Sequence, residues 1–168
     1  MREFALFLFG IIIIVFIAYI YYLPSLSKAM PEAPEQPVDL PTEGYEPVQV
    51  TVVGTTLAFV GKCRVVNMDI LESQALSIQQ GLEQTIGVRP TTHDVFSDVT
   101  GHFSIRIPQV RIESYADDIY FATIVAVKGN KVLETDARPS DAVAMAVRTN
   151  ATIYFKKTLL DSNGIVTC

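Results

Sequence analysis

Two short stretches of the sequence gather the side chains that phosphate chemistry uses: Arg89-Pro-Thr-Thr-His-Asp-Val95 and Arg138-Pro-Ser-Asp-Ala-Val143. In each, the Arg-Pro step disfavours helix before the proline, a hydroxyl that can cap a helix follows, and an Asp falls in the first turn. A helix start exposes N–H groups, and a guanidinium beside them makes a setting suited to a phosphate. On this reading Arg89 and Arg138 clamp a phosphate and His93 acts as general acid or base. Asp94, Asp136 and Asp141 then offer oxygen ligands to Mg²⁺ or Mn²⁺. The same residues allow a plainer reading, in which both stretches are ordinary helix caps and each Arg pairs with a neighbouring carboxylate.

Elements able to position these residues can be read from the spacing of apolar side chains. Strands are predicted at Val48–Val53, Thr55–Val60 and Cys63–Ile70, with Gly61-Lys62 as a turn that sets up an antiparallel pair. Ala75, Leu76, Ile78, Leu82 and Ile86 fall at helical spacing over Glu72–Thr85, with Gly87 placed to end the helix. Phe103–Ser114, Ile119–Lys128 and Lys131–Thr135 form a three-strand meander, turning at Asp117-Asp118 and Gly129-Asn130. Pro108 inside the first of these strands calls for an edge position or a bulge. Ala142–Val147 is apolar all round, as expected of a deeply packed helix, and Thr152–Phe155 and Lys156–Leu160 add a short strand and a helical turn. Without a regular βαβ rhythm the class is α+β, a mixed and mainly antiparallel sheet with two to three packed helices.

Composition divides the chain into three parts. Of its 168 residues 49% are apolar, but residues 4–23 contain no charge and hold 19 apolar side chains in 20 positions. Twenty helical residues reach about 30 Å, the thickness of a bilayer's hydrocarbon core, so 1–23 is expected to be a transmembrane anchor. Arg2 and the amino terminus on one flank give a slight bias towards a single-pass arrangement with the N-terminus in and the soluble domain extracytoplasmic. A cleaved signal peptide is the competing reading, with small residues around Lys28. Residues 24–44 hold five of the nine prolines and four acids against one lysine, and read as a linker reaching up to roughly 60 Å from the membrane. Residues 45–168 are 46% apolar with 11 basic and 13 acidic side chains, which excludes a strongly basic nucleic-acid platform. Affinity for duplex DNA comes largely from Lys and Arg on phosphates, so a short single strand or a small nucleotide suits this domain better.

The order of motifs resembles the bifunctional nuclease domain family, once catalogued as a domain of unknown function. The resemblance is carried by Glu72-Ser-Gln-Ala75, Gly81-Leu82, Arg89-Pro-Thr-Thr-His-Asp94, Tyr120-Phe-Ala122, Asp136-Ala-Arg-Pro-Ser-Asp-Ala142 and Arg148-Thr-Asn-Ala-Thr-Ile-Tyr154, in order over nearly the whole soluble part. It implies an α+β domain, often dimeric, with DNase and RNase activity. Carried over by position, the polar candidates are Glu72, Arg89, His93, Asp94, Asp136, Arg138, Ser140, Asp141 and Arg148, with Thr92 at the helix-capping position. Glu72 joins His93 and Asp94 as catalytic, and Ser140 and Arg148 join the two arginines as phosphate ligands. The sequence departs from the family pattern before Glu72, where Asp69-Ile-Leu71 replaces Gly-Pro-Phe, and at Thr152, which stands for a proline.

The function expected is therefore a membrane-anchored nuclease acting on phosphodiester bonds of DNA or RNA. Its rival is a non-catalytic, membrane-tethered binding or scaffold module in which the same Arg and Asp residues form buried ion pairs. Asn150 fits a glycosylation acceptor but lies where Asn serves as a left-handed helix cap, the preferred reading. Cys63 and Cys168 can pair outside the cell, and with no ligand spacing around them they make neither a zinc nor a redox motif.

Overall fold

The computed structural model describes residues 11–21 and 38–168. The chain divides into two compact units, residues 1–36 and 37–168. In the first, residues 11–21 form helix α1, whose side chains are exposed. Among the described residues no helix is long and apolar enough to cross a membrane. The expected anchor at 1–23 and linker at 24–44 fall largely outside the described residues.

The second unit is α+β with mainly antiparallel strands, as expected, but the strands form two sheets and four helices pack with them. One sheet has five strands in the order β1 (Tyr45–Pro47), β8 (Thr152–Lys156), β5 (Arg106–Ala116), β6 (Ile119–Lys128), β7 (Lys131–Ala137). The other has four in the order β2 (Gln49–Val53), β3 (Thr56–Val60), β4 (Arg64–Asp69), β9 (Ile165–Val166). Every pairing is antiparallel except β5 with β8. The meander of β5, β6 and β7 lies where the alternation placed it, and Asp117 and Asp118 both take positive φ at its first turn, 51° and 61°. The ladder shifts register between Arg106 and Gln109, so Pro108 sits at a bulge and withholds no donor from the sheet.

Helices α2 (Glu72–Leu82), α3 (Thr92–His102), α4 (Pro139–Thr149) and α5 (Lys157–Asn163) complete the unit. Helix α4 is the centre: Ala142, Val143, Ala144, Met145 and Ala146 are each no more than 2% exposed, with α2 and α3 against it and β5, β6 and β8 beneath. The small alanines let elements approach on several sides at once, as the all-round apolar pattern foretold. Phe59 of β3 meets Phe155 of β8 edge to face at 5.2 Å, tying the two sheets through a shared core that includes Val110 and Ile112.

Helix α2 stops three residues short of the predicted Thr85. Gln84 adopts a left-handed backbone (φ 54°), and its amide donates to the carbonyls of Gly81 (2.8 Å) and Val147 (3.0 Å). That side chain closes the helix end that Gly87 was expected to close. Helix α4 ends as predicted, on Asn150 in the left-handed conformation (φ 55°, ψ 32°).

Gly81 marks the tightest approach of α2 to α4. A Cβ there would run into the Val147 methyl and lie 2.8 Å from Arg148 Nη1. Overpacking of this kind costs about 1–3 kcal/mol, against about 1 kcal/mol that alanine gains in helix propensity. Gly81→Ala is therefore expected to lower stability by about 1–2 kcal/mol in urea unfolding; an unchanged midpoint would refute the close contact.

Cys63, at the β3–β4 turn, and Cys168, the last residue, are joined in a disulfide with Cα atoms 5.1 Å apart. The bridge closes a loop of 105 residues in sequence separation and holds β9 beside β4. Long loops place removal of such a bridge at a cost of roughly 2–5 kcal/mol. Unfolding with and without dithiothreitol should show that loss in wild type and none in Cys63→Ser/Cys168→Ser.

Candidate functional site

Helices α2, α3 and α4 place a chain of polar side chains along their junction. Ser77 of α2 is buried, and its Oγ lies 3.0 Å from His93 Nδ1 on the first turn of α3. His93 Nε2 faces Asp141 Oδ1 of α4 at 3.4 Å. Arg138, the residue before α4, grips Asp141 with both arms of its guanidinium: Nε donates to Oδ2 at 2.7 Å and Nη2 to Oδ1 at 3.1 Å. Exposure rises along the chain, from 4% for Ser77 to side-chain values of 21% for His93, 28% for Asp141 and 68% for Arg138. A carboxylate only accepts hydrogen bonds, so a hydrogen on Nε2 suits Asp141, while the Ser77 hydroxyl can either donate to Nδ1 or accept from it. The imidazole is thus fixed on its inner side and open to solvent on its outer side.

Asp94, one residue from His93, is committed elsewhere. Its Oδ1 receives Arg148 Nε at 2.6 Å, and its Oδ2 receives both the backbone N–H and the hydroxyl of Thr91 at 2.6 and 2.7 Å. Thr91 in turn accepts the Asp94 N–H, making Thr91 the N-cap of α3, one residue before the expected Thr92. Burial by itself would push the Asp94 carboxyl up, but the bonds from Arg148 and Thr91 outweigh it and hold the group at about 2, against an ordinary 3.8. Arg148 also donates to the Ala144 carbonyl at 2.9 Å. The Asp94–Arg148 pair, with side chains 10% and 6% exposed, fastens α3 to α4 and leaves neither partner facing solvent as a ligand.

The remaining candidates are spread out. Ser140 is buried in the first turn of α4, and Glu72, opening α2, and Arg89, before α3, are both exposed. Asp136 is also exposed and pairs in register with Thr123. Thr123 lies on the sheet face that carries Arg111 and Glu113, whereas Val110 and Ile112 look to the core around α4. Asp136 and Asp141 therefore belong to opposite sides of the five-stranded sheet. Among the described residues no three His, Cys, Asp or Glu side chains are placed to share a metal ion. With Asp94 saturated, Asp141 held by Arg138, and Asp136 across the sheet, this donor set does not fit a protein-held Mg²⁺ or Mn²⁺.

Two features lay outside the sequence reading. Ser77 is one of several polar residues on α2, and only its burial against His93 singles it out. The other feature is an ion cluster on the far face of the sheet: Arg111, 6% exposed, donates to Glu113 at 2.7 Å and to Glu134 at 2.9 Å, and Thr123 donates to Glu113 at 2.9 Å. Burial opposes the Arg111 charge, but its bonds to Glu134 and Glu113 prevail and its pKa is raised. This cluster clamps β5, β6 and β7 together.

A model of the bifunctional nuclease domain matches residues 57–167, two thirds of the sequence and most of the globular unit, from β3 onward. The chain belongs to the bifunctional nuclease domain family. The helix junction just described falls wholly inside the matched region, so Ser77, His93, Asp141 and Arg138 are parts of the bifunctional nuclease domain and not additions to it. An uncharacterized protein of Mycobacterium tuberculosis is 32% identical over 96 residues, which are 56% of this chain and 55% of that protein. Bifunctional nuclease 2 of Arabidopsis thaliana is 29% identical over 99 residues, 57% of this chain and 30% of the plant protein. Bifunctional nuclease 1 of Oryza sativa subsp. japonica is 25% identical over a stretch of the same length. The chain thus matches about half the length of the mycobacterial relative and under a third of the plant ones.

Proposed function

We propose that this bifunctional nuclease domain hydrolyses phosphodiester bonds of single-stranded DNA or RNA, and that it does so from a membrane anchor. The observation that carries the reading is His93 held between buried Ser77 and half-exposed Asp141, with the Arg138 guanidinium at the open end. In the imidazolium form Nδ1 stays on Ser77 and the Nε2 proton can pass to the leaving oxygen, which returns the ring to its neutral form. Asp141 orients that nitrogen and stabilises the imidazolium when it forms. Arg138 supplies positive charge for the phosphate. No step is assigned to a divalent metal.

The names of the plant relatives and the family match support nuclease chemistry at the level of the family. The uncharged run 4–23 has the length and composition of a single span, which supports the anchor, and the Cys63–Cys168 bridge suits an oxidising compartment, which supports a domain outside the cytoplasm. Val95, Phe96, Val99 and Phe103 leave an apolar strip exposed along α3, which supports a dimer of this chain. The rival reading, a tethered binding module, draws on the Asp94–Arg148 pair, whose bonds are complete within the fold.

The test is cleavage of single-stranded DNA and RNA by the purified chain, with Mg²⁺, with Mn²⁺ and with EDTA. Cleavage that requires His93 supports the nuclease; no cleavage under any of these conditions would favour the binding module.

A further inference from the structure

Beside the helix junction lies a cleft of about 440 Å³, lined by Asn67–Ile70 at the end of β4, by Tyr115 and Asp118–Tyr120 at the β5–β6 turn, and by Arg138–Ser140 at the start of α4. Its volume falls within the roughly 300–1,000 Å³ of small-ligand sites. Two tyrosines form one wall, Tyr115 and Tyr120, with ring centroids 4.4 Å apart and planes at 43°. Both are braced. The Tyr115 hydroxyl donates to Asp118 at 2.9 Å, and the Tyr120 hydroxyl accepts from Asn163 at 2.8 Å while its ring packs on Phe155 at 6.1 Å. Tyr115 nevertheless keeps 40% of its surface open, and Ile119 beside it 57%.

The cleft carries both signs of charge: Asp69 and Asp118, the latter accepting from the Tyr115 hydroxyl, and Arg138, which holds Asp141 next to His93. A phosphate is repelled by the two carboxylates and attracted to Arg138. A neutral aromatic ring suits the tyrosines, and its amino groups suit the two carboxylates.

We infer that this cleft is the base-binding subsite of the nuclease: one unpaired nucleobase stacks on Tyr115 while its phosphate reaches Arg138, which sets the phosphodiester beside His93. The inference rests on the reading of the chain as a nuclease and adds the part of the substrate that reading leaves open. A base must leave its helix to enter the cleft, so the subsite selects single strands, in keeping with a domain of net charge −2 over residues 45–168.

The experiment is fluorescence anisotropy of a labelled five-nucleotide single-stranded DNA with the full chain in detergent, alongside the same oligonucleotide carrying an abasic centre. Both are also measured in His93→Ala, where turnover is expected to be slowed. Alanine substitution of a stacking aromatic weakens binding roughly 5- to 100-fold. Tyr115→Ala is expected to lose affinity in that range for the intact strand and less than about twofold for the abasic one, with Tyr115→Phe binding as wild type. Ile119→Asp, at the same wall and at an exposed position, is expected to act in the same direction and guards against a folding defect in Tyr115→Ala. Equal affinity of wild type for intact and abasic strands, or intact-strand binding unchanged by Tyr115→Ala, overturns the subsite. If His93→Ala still cleaves while the base-dependent loss in Tyr115→Ala holds, the proposed catalytic role fails and the subsite stands.

Discussion

Arg148→Ala is expected to destabilise the domain by about 3–5 kcal/mol at pH 7, because it leaves the Asp94 carboxylate buried without its cation. The guanidinium provides the 2.6 Å bond to Asp94 Oδ1 and reaches from α4 to the first turn of α3, across 54 positions of sequence. Removing both charges costs less than the sum of removing each, so Asp94→Ala/Arg148→Ala should be markedly more stable than additivity gives. The effect has a pH signature. In wild type the carboxyl sits at about 2 against an ordinary 3.8. A lowered carboxylate pKa contributes stability that is present above 3.8 and lost as pH falls through about 2, amounting to about 2 kcal/mol. In Arg148→Ala the same carboxyl is raised by burial and takes up its proton sooner, which relieves its penalty. The gap between wild type and variant should therefore narrow from pH 7 to pH 3 in urea unfolding, and a gap that stays constant would remove Asp94 as its cause.

His93→Ala is expected to lower cleavage of a single strand by roughly 10²–10⁴-fold, the usual worth of a positioned general acid or base. Stability should change little beyond what loss of the Ser77 hydrogen bond entails, about 1–2 kcal/mol, since the ring is partly open to solvent. Asp94→Asn is the contrast. It stands next in sequence to His93 and was an equal candidate on pattern, yet its partners are Thr91 and Arg148, and its substitution should act mainly on stability. Separating the two effects distinguishes a reacting group from a structural one.

The two Arg-Pro stretches show how far the pattern could be read. Both do start helices, as capping chemistry requires. Beyond that they diverge. In the second, Arg138 is itself the N-cap with proline at the next position, and it pairs with Asp141 three residues on, a local relation that the plainer reading had named. In the first, the Arg that meets Asp94 is not Arg89 but Arg148, and no local spacing can announce a contact made by packing two helices. The Thr91-to-Asp94 spacing is that of a capping box, so the commitment of Asp94 to its own helix end was legible, whereas its cation was not. Ser77 was illegible for the same reason as Arg148: its importance comes from which helix it faces. The three carboxylates proposed for a metal looked alike as sequence, and the sheet separates one of them from the others. Strands were easier to read, because alternation and turn residues are local. The meander of β5 to β7 follows from them, while the parallel placement of β8 beside β5 depends on the crossover through α4.

The most direct test of the His93–Asp141 site is a single-turnover comparison of wild type, His93→Ala, Asp141→Asn and the double variant on a labelled single-stranded oligonucleotide. Side chains that act as one unit lose activity once, so the double variant should be no slower than His93→Ala by more than about threefold. Losses that multiply, or cleavage that persists in His93→Ala, would contradict a site built on His93 and Asp141.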